Sequence, residues 1–290
     1  MWIYERYCDR ILSAAVCEDG ILPCLAPPTS FLFFVSIGVS MFSPRDKATA
    51  CGMWSGTYII ALAITLTLAV TAIYLSRKMK ERGVRRLLLA SSVFTISTEI
   101  VKMIFVGVTY GIGEIEFIPL YFCSLFMYST VLALTKRDAL RNTGLAFLFF
   151  GGIIGAVGFF SYPDACIPNY PIYHFMCLRT MIFHGLMIYV GFTVVLTGYY
   201  KPSVRHFKNY LAAMCIVGIG AYIYNLIFDT NLMYISKPLG LEISAAVYQA
   251  APRLYPLIFM TAQIFAPFFA SYGVYRAVLY FISRRRFGAK

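Results

Sequence analysis

Two side chains in this sequence have the chemistry of a nucleophile and its base. They are Cys123, in "FIPLYFCSLF" (117–126), and His184, in "FHGL" (183–186). A thiolate attacks carbonyl carbon well, and a neighbouring imidazole takes the thiol proton near neutral pH. The pairing rests on elimination. The chain has 3 histidines; His174 falls at the end of an apolar run and His206 in a basic loop. Cys177 precedes His184 by two helical turns, about 10.5 Å of rise, beyond direct reach. Cys215 lies in the opposite half of its own run. The bland reading stays open: a buried thiol is usually inert, and a buried histidine is usually just hydrogen-bonded. No two histidines are spaced to share a helix face and no carboxylate cluster accompanies them, so neither a metal nor a cofactor is expected.

Other polar groups interrupt the apolar runs at comparable depth. At about 1.5 Å per residue, Cys123 lies about 9 Å below Phe117, Lys102 about 12 Å and Glu99 about 16 Å below Tyr110. Gln263 lies about 12 Å below Tyr255, Asn225 about 6 Å below Asp229, and Arg179 some 8 Å shallower than His184. Polar groups inside lipid-spanning segments are costly and commonly mark function, so these side chains predict a shared cavity in the outer half of a membrane. Each has a second reading. Glu99 and Lys102 can neutralise one another along one helix face, and Arg179 can snorkel to the interface. Asn225 and Asp229 can tie a helix to its loop, and Gln263 can glue two helices together.

The elements that must position these groups are membrane helices. The chain has 290 residues, 60% hydrophobic and only 13% charged, with mean hydropathy +0.72. A soluble domain would be about a quarter charged. Seven runs approach the ~20 residues that cross a bilayer, near 57–75, 88–110, 117–134, 144–160, 174–198, 209–228 and 255–282. Lys and Arg concentrate in alternate loops, after the first, third and fifth runs and again after the seventh, around Arg77–Arg86, Lys136–Arg141, Lys201–Lys208 and Arg284–Arg286. By the positive-inside rule these are cytoplasmic, which puts the N-terminus outside and the C-terminus inside. The net charge of +12 then reports basic loops rather than a nucleic-acid partner.

The expected architecture is therefore an all-α, seven-helix transmembrane bundle over 51–285. An extension at 1–50 precedes it and a basic cytoplasmic tail at 286–290 follows. The apolar stretch 29–42 is short for a span and reads as interfacial or re-entrant. Cys8, Cys17, Cys24, Cys51 and Cys166 fall on the outer side, where disulfides are permitted but no spacing dictates a pairing. The absence of an obvious sorting motif leaves the plasma membrane as the simplest location. Oligomeric state is not encoded in any pattern found.

Three short blocks, "IPLYFC" (118–123), "FHGL" (183–186) and "NLMYISKP" (231–238), carry a resemblance to the YwaF-type integral membrane family. The likeness covers about 50–285, and the chain is similar to that family's transmembrane protein 164 acyltransferase branch. Glu99 also falls where that family tends to have a glutamate. The family pattern Leu-Pro-Leu-His-x-Cys has Tyr121 in place of its histidine here, and the Asn-Tyr-Met-Tyr block reads Asn231-Leu232-Met233-Tyr234.

The resemblance implies transfer of a fatty acyl group between phospholipid and lysophospholipid through a thioester on Cys123, with His184 as base. Asn225, Asn231 or Tyr121 would supply oxyanion donors, and Arg179 or Lys102 would hold a lipid phosphate. The competing expectation is a non-enzymatic transporter or receptor that binds an amphiphilic ligand in the same cavity. The motifs of G-protein-coupled receptors are missing: the inner end of the third run reads "TKRDALRN".

Overall fold

The structure, a computed structural model, describes residues 40–287 other than 115 and 165. All but the last three residues of the 29–42 stretch lie outside that range. Every regular element described is helical. In chain order these are α1 (Gly56–Ser76), α2 (Glu81–Tyr110), α3 (Leu125–Leu134), α4 (Asp138–Ala146), α5 (Gly152–Ser161), α6 (Phe175–Leu196), α7 (Phe207–Phe228), α8 (Glu242–Ala250) and α9 (Tyr255–Phe287). A π-helical turn, Phe147–Gly151, joins α4 to α5 as one span. Among the described residues six helices are long and apolar enough to cross a membrane: α1, α2, the joined α4–α5, α6, α7 and α9.

The expected helix over 117–134 is instead two parts. Residues 117–124 are irregular, and α3 is only 10 residues, about 15 Å, half of a bilayer's hydrocarbon. Pro119 lacks an N–H and disfavours helical geometry at Ile118. The Tyr121 hydroxyl, 2.6 Å from Glu116 Oε1, pins the segment outside a helix. Cys123 thus sits in the turn that opens α3, not inside a helix.

The joined α4–α5 span is the centre of the bundle: 72% of its apolar window is buried, against 11% for α1. Gly144 brings α4 onto α3, and a Cβ there would stand 2.5 Å from Ser129 O. The π-turn shifts the hydrogen-bond register, with Gly152 N–H reaching Phe147 O. Ser271 of α9 donates to Phe150 O at 3.3 Å. Such register breaks are tolerated in lipid only when neighbouring helices satisfy the freed groups.

The loops gather into two sets. At one end, Tyr110 shares a hydrogen bond with Tyr170 (2.9 Å) and accepts from Arg45 N–H (2.8 Å). There Cys51 N–H donates to Tyr170 O (2.9 Å), and the Tyr162 hydroxyl donates to Gly240 O (3.2 Å). At the other end, Arg85 donates to Leu134 O (3.3 Å), the Arg141 guanidinium lies 4.8 Å from the Tyr199 ring, and Tyr200 meets His206 at 2.9 Å. The basic loops share this second end, and the stretch 117–134 runs between the two.

Candidate functional site

Cys123 lies against the central span. Its thiol donates to Gly155 O of α5, with Sγ 3.8 Å away. The contact is tight: an added Cβ at Gly155 would stand 3.1 Å from Met187 Cε and 3.2 Å from the Phe122 ring. The first turn of α3 starts immediately after the thiol, with Phe126 N–H bonded to Cys123 O (3.0 Å) and no side-chain cap at Ser124. Helix N-termini carry positive partial charge, so this turn presents favourable potential to an anion formed at Cys123.

His184 projects from α6 toward the same helix. Its Nδ1 lies 2.8 Å from Thr180 O. A carbonyl only accepts, so in the neutral imidazole Nδ1 carries the hydrogen and Nε2 keeps the lone pair. Nε2 is buried and has no hydrogen-bond partner among the described residues. The ring stacks on Phe159 of α5 (centroids 3.9 Å, planes 14° apart), with Phe160 and Phe183 edge-on at 6.0 and 5.6 Å. Gly155 and Phe159 are one turn apart on α5, about 6 Å of helical rise, so thiol and imidazole contact successive turns of the same helix. No hydrogen bond joins them.

A second group surrounds Glu99. Lys102 Nζ stands 2.6 Å from Oε1, and Arg179 of α6 pairs with Oε2. The side chains are 16%, 12% and 7% exposed for Lys102, Arg179 and Glu99, so one carboxylate serves two largely buried cations. Arg179 does not snorkel. Its guanidinium lies 5.6 Å from the Phe183 ring, and its Nε is buried without a partner.

The third group is a loop knot above α7 and α9. The Asn225 amide donates to Leu232 O (3.1 Å) and Ser236 Oγ (2.9 Å), and its oxygen accepts from Thr230 and from Leu232 N–H. Asn231 donates to Lys237 O and accepts from the N–H groups of Ser236 and Lys237. Asn225 uses both amide hydrogens and its oxygen in holding the loop, and Asn231 uses one hydrogen and its oxygen. They stabilise a turn in which Met233 and Tyr234 have φ of 55° and 54°. Gln263 donates to Met233 O (2.7 Å), as interhelical glue does, and Tyr255 to Tyr234 O (3.2 Å).

Tyr234 connects this knot to the thiol. Its ring is 6.0 Å from that of Tyr121. Burial, followed by the neighbouring Asp164, Cys123, Glu116 and Tyr162, pushes its phenol up to about 12. The structure therefore resolves the single polar layer expected from sequence into an ion cluster on α2 and α6 and an amide knot on α7 and α9. Cys123 lies between Tyr234 and α5. Sequence reasoning missed Gly155, Phe159, Thr180 and Tyr234. Of these, only Thr180, one turn before His184, and Tyr234, in the quoted block, left any signal.

The fold and these buried polar groups define a multi-pass helical membrane protein with a thiol and an imidazole on its central span. The chain belongs to the TMEM164 family, whose model matches residues 50–273. No curated protein and no solved structure matches it.

Proposed function

We propose that this protein transfers fatty acyl groups between membrane phospholipids through a thioester on Cys123. One observation carries the reading: the lone-pair nitrogen of His184 is buried and unpartnered, one turn along α5 from the Cys123 thiol. A buried polar atom without a partner in an apolar aromatic box is costly, by about 1–3 kcal/mol. Catalytic hydrogen bonds often tighten only when substrate enters. Family membership supports the same chemistry.

In the first half-reaction His184 Nε2 takes the thiol proton as sulfur attacks an ester carbonyl. The C–O bond to glycerol breaks, and the departing alkoxide recovers that proton as a lysophospholipid hydroxyl. In the second, His184 takes the proton of an acceptor hydroxyl as its oxygen attacks the thioester. The C–S bond breaks and the proton returns to Cys123 sulfur. The oxyanion in each step is stabilised by the positive end of the α3 dipole rather than by Asn225 or Asn231, whose amides hold the loop. Thr180 O steadies the imidazolium through Nδ1–H. The Arg179–Glu99–Lys102 cluster has a net charge of +1 and supplies the phosphate-holding potential. The basic loops face the cytoplasm, 117–134 makes a seventh crossing, and the site opens to the outer leaflet.

The alternative, a non-enzymatic carrier of an amphiphile, draws on the lack of a thiol–imidazole hydrogen bond. One experiment separates the two. Purified protein in detergent is incubated with a radiolabelled-acyl phospholipid and a lysophospholipid, then analysed for acyl-Cys123 by mass spectrometry. The expected result is a hydroxylamine-sensitive thioester with exchange kinetics of the ping-pong type, both lost in Cys123→Ala and His184→Ala. Undiminished exchange in Cys123→Ala would overturn the thioester route.

A further inference from the structure

An apolar cavity of about 230 Å³ lies between α3, α4 and α7. Leu125, Tyr128 and Leu132 line one wall, and Tyr210, Met214 and Val217 line the other. Both sets recur at helical spacing, so the walls are two facing helix stripes. Ile118 and Leu120, from the irregular segment that leads to Cys123, also line it. Thr143 and Phe147 add to the lining, and the Tyr210 ring lies parallel to Phe147 at 6.2 Å (18°).

We infer that this groove is the binding site for the fatty acyl chain carried by Cys123, and that Tyr210 is the floor that sets its length preference. The proposal rests on the acyl-transfer reading above. Three observations fix the occupant as an acyl chain rather than a peptide or a second copy of this protein. Leu120 and Leu125, three residues before and two after Cys123, both line the cavity. The walls are apolar, and Ile118 among them is 49% exposed, on a surface that in a membrane protein meets lipid. The shape is a narrow slot about 10 Å deep along α3 from Leu125 to Leu132, compared with about 15 Å for a lipid leaflet. A chain longer than the slot must therefore bend out past Leu132, while a shorter one ends on the Tyr210 ring.

The test combines mapping with selectivity. Full-length protein in detergent is loaded with a phospholipid bearing a diazirine at the ω end of its acyl chain, photolysed and digested. Crosslinks are expected in the peptides that carry Leu132, Thr143 and Tyr210. Ala213→Phe, which fills the slot from α7, is expected to remove those crosslinks. It should also lower exchange of a sixteen-carbon chain relative to a four-carbon chain by about tenfold. Ile223→Phe, on the exposed face of the same helix, is expected to change neither. Tyr210→Leu is expected to shift preference toward longer chains, and Ala213→Phe carries the test if that variant does not fold. Crosslinks scattered over α1 and α9 while Cys123 still acquires acyl groups would overturn the groove alone. Groove crosslinks without any acyl-Cys123 would keep the groove and overturn the chemistry.

Discussion

Glu99 on α2 and Arg179 on α6 meet as carboxylate and guanidinium in the interior of the bundle, with Lys102 on the other carboxylate oxygen. The pair joins two helices that are separate in sequence. Removing one member of such a buried cluster leaves uncompensated charge in a low-dielectric interior.

Glu99→Gln is therefore expected to destabilise the protein by about 3–5 kcal/mol, because two cations lose the carboxylate they share. Thermal unfolding in detergent checks this. Combining Glu99→Gln with Arg179→Gln should recover part of the loss. If the single variant melts like wild type, the cluster is solvated and contributes nothing.

Asn225→Ala is expected to cost about 3 kcal/mol, since it strands the buried N–H and C=O of Leu232. The readout is again the melting temperature. An oxyanion donor would behave differently: turnover would drop with stability intact. Asn231→Ala should resemble Asn225→Ala but be milder, because its partners at Lys237 are exposed.

His174 caps α6 through Nδ1, which accepts from Met176 N–H at 3.2 Å, while Nε2 lies 3.1 Å from Ser43 O. Burial holds its imidazole below the ordinary value, with the Ser43 contact opposing. The folded pKa is depressed, so the unfolded chain binds more protons just below the unfolded pKa of about 6.5. The contribution is complete above that value and is lost as pH falls through the folded pKa. Melting temperature measured from pH 8 to 5 should decline below about 6.5, and His174→Gln should flatten that decline.

Gly144→Ala is expected to destabilise by about 3 kcal/mol, because its Cβ would meet backbone atoms of α3 that cannot rotate away, Ser129 O at 2.5 Å and Ala133 N at 2.7 Å. Gly158→Ala on α5, with open space around the new methyl, is expected to be neutral. Equal expression and melting of the two variants would contradict the close α3–α4 crossing.

Six of the seven apolar runs became membrane-length helices close to their expected bounds, because hydropathy over twenty residues is a local property. The gathering of basic loops at one end was equally legible, since charge in a short loop needs no partner to be counted. The seventh run was misread at Cys123. Pro119 was visible, but the tie from Tyr121 to Glu116 and the packing on Gly155 that keep 117–124 out of a helix belong to the fold.

The polar groups divide the same way. Sequence alone determined that Glu99, Lys102, Arg179, His184, Asn225 and Gln263 interrupt apolar segments, because lipid gives such residues no other reason to be there. Only the tertiary structure decided which of them meet. It gave Glu99 to Arg179 as well as Lys102, committed Asn225 and Asn231 to a loop, and set the His184 tautomer through Thr180 O. It also brought thiol and imidazole to one face of α5. Contacts between helices depend on rotation and depth to within a fraction of a turn, and a linear apolar pattern does not encode either.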